Sequence, residues 1–209
     1  YRLPYNDLNP EVVANFEANR FSVTRQVHYS QTDTFKSVDM ALFVNGLAVA
    51  TLELKNPWTG QNVQNAVRQY RTDRDPKEPL FEFGRCLVHF AVDPDEAFMC
   101  AQLAGNDSNF LPFNKGFNYG KGNPVNPNGH KTAYLWQEIL PRRSLTNIIE
   151  QFAKFTVEKD KKTGKERKAL FFPRYHQLDV VRGILFDAKR YGVGQTYLIQ
   201  HSAGSGKSN

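Results

Sequence analysis

The stretch SVDMALFVNGLAVATLELKNP, residues 37–57, decides the reading of this chain. Two runs, Ser37–Val44 and Leu47–Lys55, flank Asn45-Gly46, a dipeptide that tolerates the positive φ angles a tight hairpin turn requires. Both runs are apolar except at a few positions, among them Asp39, Glu53 and Lys55. Strand side chains alternate faces, so Glu53 and Lys55 point one way and Leu54 the other. Three charges inside an otherwise buried hairpin are costly unless they are paired or coordinated.

Whether Asp39 joins the other two depends on the turn. A strict two-residue loop continued without a bulge sets Asp39 opposite Leu52, on the wrong face. A three-residue loop of Val44, Asn45 and Gly46 pairs Phe43 with Leu47, with Gly46 left-handed. Asp39 then faces Thr51, with Glu53 its diagonal neighbour. A bulge elsewhere that restores the same parity serves equally, and one of these two solutions is expected. The chemical reason is that neighbouring carboxylates repel unless a cation lies between them. Oxygen ligands beside a phosphate substrate suit Mg²⁺. Such an ion polarises a phosphodiester and acidifies water, and the Lys55 ammonium can orient that water or stabilise charge building on phosphorus. The Leu54 carbonyl is a possible further ligand.

Outward from the hairpin, Asn9-Pro10-Glu11 opens a helix of about ten residues, since Asn caps well and Pro suits the first turn. Val23–Tyr29 alternates as a strand. From Gln61, residues Val63, Ala66, Val67 and Tyr70 recur at helical spacing. Cys86–Val92 and Ala97–Leu103 read as strands. Residues 105–130, rich in Gly, Asn and Pro, read as a long loop of the kind that is often functional. Residues 133–155 return to helix with Ser144 as candidate N-cap. Lys161–Gly164 reads as a turn between charged strands, Arg174–Arg190 as helix, and Thr196–Gln200 as a buried strand.

The 209 residues carry a formal charge of +6, which suits a phosphate-backbone partner. Basic residues crowd Lys154–Arg174. The two cysteines, Cys86 and Cys100, lack metal-site spacing and read as buried thiols of a cytoplasmic protein. No apolar run approaches the roughly 20 residues that span a bilayer, so no membrane partner is expected.

Asp39 with Glu53-Leu54-Lys55 resembles the PD-(D/E)xK nuclease pattern, with Val38 where that pattern has proline. Ser37-Val38-Asp39, Phe43–Leu47 and Glu53–Pro57 are similar to the N-terminal domain of type I restriction enzyme R subunits. The similarity continues through Gln69-Tyr70-Arg71, Asp73–Pro76, Phe113–Gly116 and Tyr134-Leu135-Trp136. The resemblance implies an α/β fold: a restriction-endonuclease-like core with a mixed central sheet flanked by helices. It implies that Asp39 and Glu53 bind Mg²⁺ and that Lys55 is catalytic, in cleavage of duplex DNA. Related nucleases carry QxxxY on the next helix. Here Gln69 is followed four residues later by Asp73, so Gln69 is expected only as a DNA or active-site contact and Tyr70 as core.

His201–Ser208 resembles a Walker A loop, and Gln177 resembles the adenine-reading glutamine of superfamily 2 motors. Gly204, Gly206, Lys207 and Ser208 would hold ATP with Mg²⁺ in a longer subunit. The expected organisation is therefore a nuclease domain over 1–155, and a linker with the beginning of a RecA-like motor domain over 156–209. No ATPase activity is expected of this stretch alone. The resemblance further implies modification (methyltransferase) and specificity subunits as partners, with cleavage following ATP-driven translocation. The alternative is a DNA-binding or docking module without cleavage activity of its own.

Overall fold

The computed structural model describes residues 8–159, 164 and 166–201. The chain divides into two compact units, Tyr1–Phe172 and Pro173–Asn209.

The first unit is built on a six-stranded sheet in the order β1 (Phe21–His28), β2 (Ser37–Val44), β3 (Leu47–Leu54), β4 (Val88–Val92), β5 (Ala97–Cys100) and β6 (Leu111–Pro112). All neighbours are antiparallel except β3 and β4, which run parallel. Parallel strands need a long crossover, and α2 (Val63–Thr72) supplies it. Asn62 starts α2 by accepting from Gln64 N while Asn65 accepts from Asn62 N, a reciprocal cap of the first turn. Helical spacing then turns Val63, Ala66, Val67 and Tyr70 into a core shared with Ala91, Cys100 and Leu103. A buried polar knot fixes the helix on the sheet: Thr51 Oγ1 lies 2.8 Å from Tyr70 Oη and 2.7 Å from His89 Nδ1. Burial pushes the His89 pKa down to about 3, so this imidazole stays neutral.

On the other side of the sheet, Leu135, Trp136, Leu140 and Pro141 line an apolar hollow with Met40, Leu42, Leu52 and Leu54. The expected single helix over 133–155 is not formed. A π-helical turn (Leu135–Ile139) and α3 (Arg142–Gln151) replace it. Proline interrupts helical hydrogen bonding and disfavours helix in the residue before it, and Pro141 sits at the break. Ser144 is not the N-cap: Pro141 holds that place, and Ser144 Oγ donates to Ile139 O at 2.8 Å. Residues 154 and 155 already belong to β7 (Lys154–Lys159), which pairs with β8 (Glu166–Phe171). Lys161, Lys162 and Lys165 lie outside the described residues.

The long loop is tied down rather than open. Asn123 Nδ2 donates to Asp95 O and Asn114 Oδ1, and Asn123 Oδ1 accepts from Lys115 N. Lys115 Nζ grips Glu138 at 2.6 Å, and Tyr134 Oη donates to Phe113 O.

In the second unit α4 (Tyr175–Tyr191) forms as expected. The strand expected over Thr196–Gln200 is absent, and these residues are exposed and unassigned. A buried strand requires partners for its main-chain groups, and no pairing reaches this segment among the described residues. No helix among them is long and apolar enough to cross a membrane.

The hairpin corrects one expectation and meets its alternative. The three-residue loop is not formed: Val44 pairs with Leu47, and Asn45 and Gly46 take φ of 52° and 82°. The bulge falls instead at Val49, because Phe43 pairs with Ala48 while Leu42 pairs with Ala50. Asn45 makes the tight turn pay structurally: its Oδ1 accepts from Arg20 N and its Nδ2 donates to Asn19 Oδ1, both at 2.8 Å. Asn45→Ala loses these bonds and puts a residue less tolerant than asparagine in the left-handed region, so a loss of about 2–3 kcal/mol is expected in urea denaturation. Asn45→Gly, free of that strain, should lose less.

Candidate active site

Pairing of β2 with β3 ends at Met40–Leu52, while β2 continues along β1 to Ser37 and β3 continues along β4 to Leu54. The two strands therefore part at a fork, with Asp39 one residue beyond the last rung on one side and Glu53 on the other. The bulge at Val49 gives this register its parity, so both acids lie on one face. Asp39 takes over the next rung with its side chain: Oδ2 accepts from Leu54 N at 2.8 Å. Its Oδ1 accepts from Gln26 Nε2 at 3.3 Å, and Gln26 Oε1 in turn accepts from Ser37 Oγ at 2.9 Å. Gln26 adopts φ of 50° within β1, a left-handed conformation costly for a residue with a β-carbon.

Glu53 is fully buried. Its Oε1 accepts from Arg74 at 2.7 Å, and Arg74 also donates to Tyr29 Oη and to Ser37 O. The other oxygen, Oε2, is buried without a hydrogen-bond partner. Burial raises the Glu53 pKa to about 7, the Asp39 charge adds to the rise, and Arg74 and Lys55 oppose it. Arg74 is held above its ordinary value by the Glu53 charge despite its own burial, so it remains a cation.

Lys55 follows on the same face, and its Nζ donates to Gln69 Oε1 at 2.5 Å. The hairpin and α2 thus bring four of the sequence-derived candidates together: Asp39, Glu53, Lys55 and Gln69. Tyr70 is in the core. Gln177 belongs to the second unit, where its Oε1 accepts from Arg174 N at the start of α4. Gly204, Gly206, Lys207 and Ser208 lie outside the described residues. Reading the sequence missed Arg74 and Gln26. An unpartnered acid in an apolar hairpin was the signal that a cation must arrive from another element.

The donor set suits a hard cation. One buried carboxylate oxygen without a partner stands beside a second carboxylate that has spare lone pairs. Among the described residues no three His, Cys, Asp or Glu side chains gather into a closed cage. Two carboxylates of this kind could share a hard cation whose remaining positions are filled by other oxygens.

Residues 11–108 match the family described as Type I restriction enzyme R protein N terminus. That interval contains Asp39, Glu53, Lys55, Gln69 and Arg74. A similar protein from Methanocaldococcus jannaschii, named as a type I restriction enzyme endonuclease subunit, is 27% identical over 77 residues. The match covers 35% of this chain and 7% of that protein. The chain therefore corresponds to a small part of the relative's length.

Removing Arg74 should expose the electrostatics of the pair. Arg74→Met leaves a buried Glu53 without its counter-charge, and a loss of about 3–5 kcal/mol is expected once Glu53 is ionised. In the unfolded chain Glu53 titrates near 4.5, against about 7 when folded. The fold thus holds a proton that the unfolded chain releases, and this group's contribution to stability falls as pH rises across that interval. Without Arg74 the folded value moves higher and the fall extends further. Urea denaturation of the variant should show a deficit that is large at pH 9 and smaller at pH 6.

Proposed function

We propose that the first unit is a Mg²⁺-dependent endonuclease domain of the PD-(D/E)xK kind that cleaves DNA phosphodiester bonds. The observation that carries this reading is the buried, unpartnered Oε2 of Glu53 at the fork, with Asp39 across from it and Lys55 two residues on. The match to the R protein N terminus supports it, since the named relative is an endonuclease subunit.

Asp39 and Glu53 would hold the ion, with the Leu54 carbonyl within the same turn of chain. When bound, Mg²⁺ supplies charge neutralisation at the scissile phosphate and acidifies an attacking water. Arg74 fixes one Glu53 oxygen and leaves the other without a hydrogen-bond partner among the described residues. Gln26 and the Leu54 amide fix the Asp39 carboxylate by its two oxygens. Lys55, oriented by Gln69, places an ammonium where negative charge grows during attack on phosphorus. With the ion bound, Lys55 could also orient the attacking water by hydrogen bonding, while Thr51, Tyr70 and His89 form a buried polar knot on the same face of the sheet.

In the longer enzyme this reading brings duplex DNA, modification and specificity subunits, and ATP with Mg²⁺ for translocation before the cut. Gln177, Gly204, Gly206, Lys207 and Ser208 would serve that nucleotide. The basic β7–β8 hairpin suits contact with a phosphate backbone.

Supercoiled plasmid with Mg²⁺ should be nicked or linearised by the protein, and Lys55→Ala should lower the rate about 10²–10³-fold. Retained cutting in Lys55→Ala would sink the assignment. Ca²⁺ binding by calorimetry should vanish in Asp39→Asn and in Glu53→Gln. Because Glu53 must release its proton to bind a cation, affinity for Ca²⁺ should weaken about tenfold per pH unit below 7.

A further inference from the structure

Beside the fork, Lys55 also borders a second feature. Lys55, Trp58, His130 and Trp136 line a cavity of about 260 Å³ together with Val92 and Pro94. Trp58 is 95% exposed, an unusual position for the largest apolar side chain. It is exposed on a braced support rather than a loose one. Asn56 Oδ1 accepts from Trp58 N at 3.0 Å, and Asn56 O accepts from Thr59 N and from Thr59 Oγ1. Gly60 N closes the turn on Pro57 O with Gly60 at φ 70°, where a residue with a β-carbon would be strained. Across the cavity, His130 and Trp136 meet edge to face, with ring centroids 6.4 Å apart and planes at 80°.

The charge of this cavity selects among occupants. Asp93 also lines it, but its carboxylate is consumed by main-chain amides: Oδ2 accepts from Val63 N, and Oδ1 accepts from Asp95 N and Glu96 N, all at 2.8 Å. Lys55, the cation among the lining residues, donates its Nζ to the neutral Gln69 amide. A flat aromatic face, a facing aromatic pair and an adjacent cation match a π-faced group attached to a phosphate. Aromatic platforms next to basic groups hold unpaired bases in this way, with little sequence preference.

We propose that Trp58, opposite His130 and Trp136, seats an unpaired nucleobase of the DNA strand whose phosphate lies at Lys55. The proposal rests on DNA being the substrate of the neighbouring fork. It adds that the strand is gripped by a base lifted out of the stack, next to the phosphate being cut.

The chain has two tryptophans, so Trp136→Phe leaves Trp58 as its sole indole. That variant is titrated in EDTA, without cleavage, against a single-stranded oligonucleotide, a closed hairpin duplex, and a duplex with a short unpaired gap. Trp58 emission should be quenched saturably by the single strand and the gapped duplex, and less by the closed duplex. By anisotropy, Trp58→Ala should weaken single-strand binding about 5- to 150-fold, and Trp58→Phe should recover most of it. Because Trp58 is exposed, these variants should keep their fold, which an unchanged circular dichroism spectrum checks. Unquenched emission overturns the proposal, whether the oligonucleotide binds elsewhere, binds nowhere, or a protein segment fills the cavity. The nuclease reading fails separately: a chain that stacks bases but does not cut sinks only that reading, and one that cuts with Trp58 unquenched sinks only this one.

Discussion

The contact between Glu53 and Arg74 is the constraint on which the rest of the site depends. A fully buried carboxylate opposes the hydrophobic logic of the sheet around it, and its burial, against the pull of Arg74, leaves its pKa raised to about 7. Arg74 offsets part of that cost with two donors on one oxygen, and anchors itself on Tyr29 and on the Ser37 carbonyl. The guanidinium therefore links the chain just beyond the crossover helix to both strands of the fork. Its planar donors fix an orientation that a lysine ammonium would leave loose.

Around this pair the sheet divides its work. The α2 face carries the polar knot of Thr51, Tyr70 and His89 and the acids of the fork, and the opposite face is apolar. The fork itself exists because β3 changes partner: it leaves β2 after Leu52 and follows β4 alone. At that departure main-chain groups lose their rung, and the Asp39 side chain fills it. A group that satisfies the backbone is thereby held where a second carboxylate is within electrostatic reach.

Much of the hairpin was legible in the residues. Asn45-Gly46 announces its turn, alternation places Glu53 with Lys55, and helical spacing marks the buried side of α2. The Val49 bulge was required by parity but not located, because β-branched and small residues on both strands admit it at several rungs. Arg74 and Gln26 were missed for different reasons. Arg74 lies beyond the helix end, and its partner is set by tertiary docking rather than by spacing. Gln26 adopts a left-handed backbone that no preference of glutamine foretells. The helix over 133–155 was over-read because amphipathic spacing persists across Pro141 while the hydrogen bonding does not. The strand over 196–200 was over-read because an apolar run is strand-like only where neighbours receive it.

The parallel pairing of β3 with β4 has a consequence for how the site comes into being. Asp39, Glu53 and Lys55 arise on a local hairpin, which can assemble early, whereas β4 and Arg74 arrive only after the intervening helix has docked. Closing that loop is the slower, entropically costlier step. Until it happens Glu53 is solvated, ordinary in acidity and free to rotate. A half-folded chain therefore carries the acids without the clamp, and competence to grip a cation is acquired in the same cooperative event that completes the sheet.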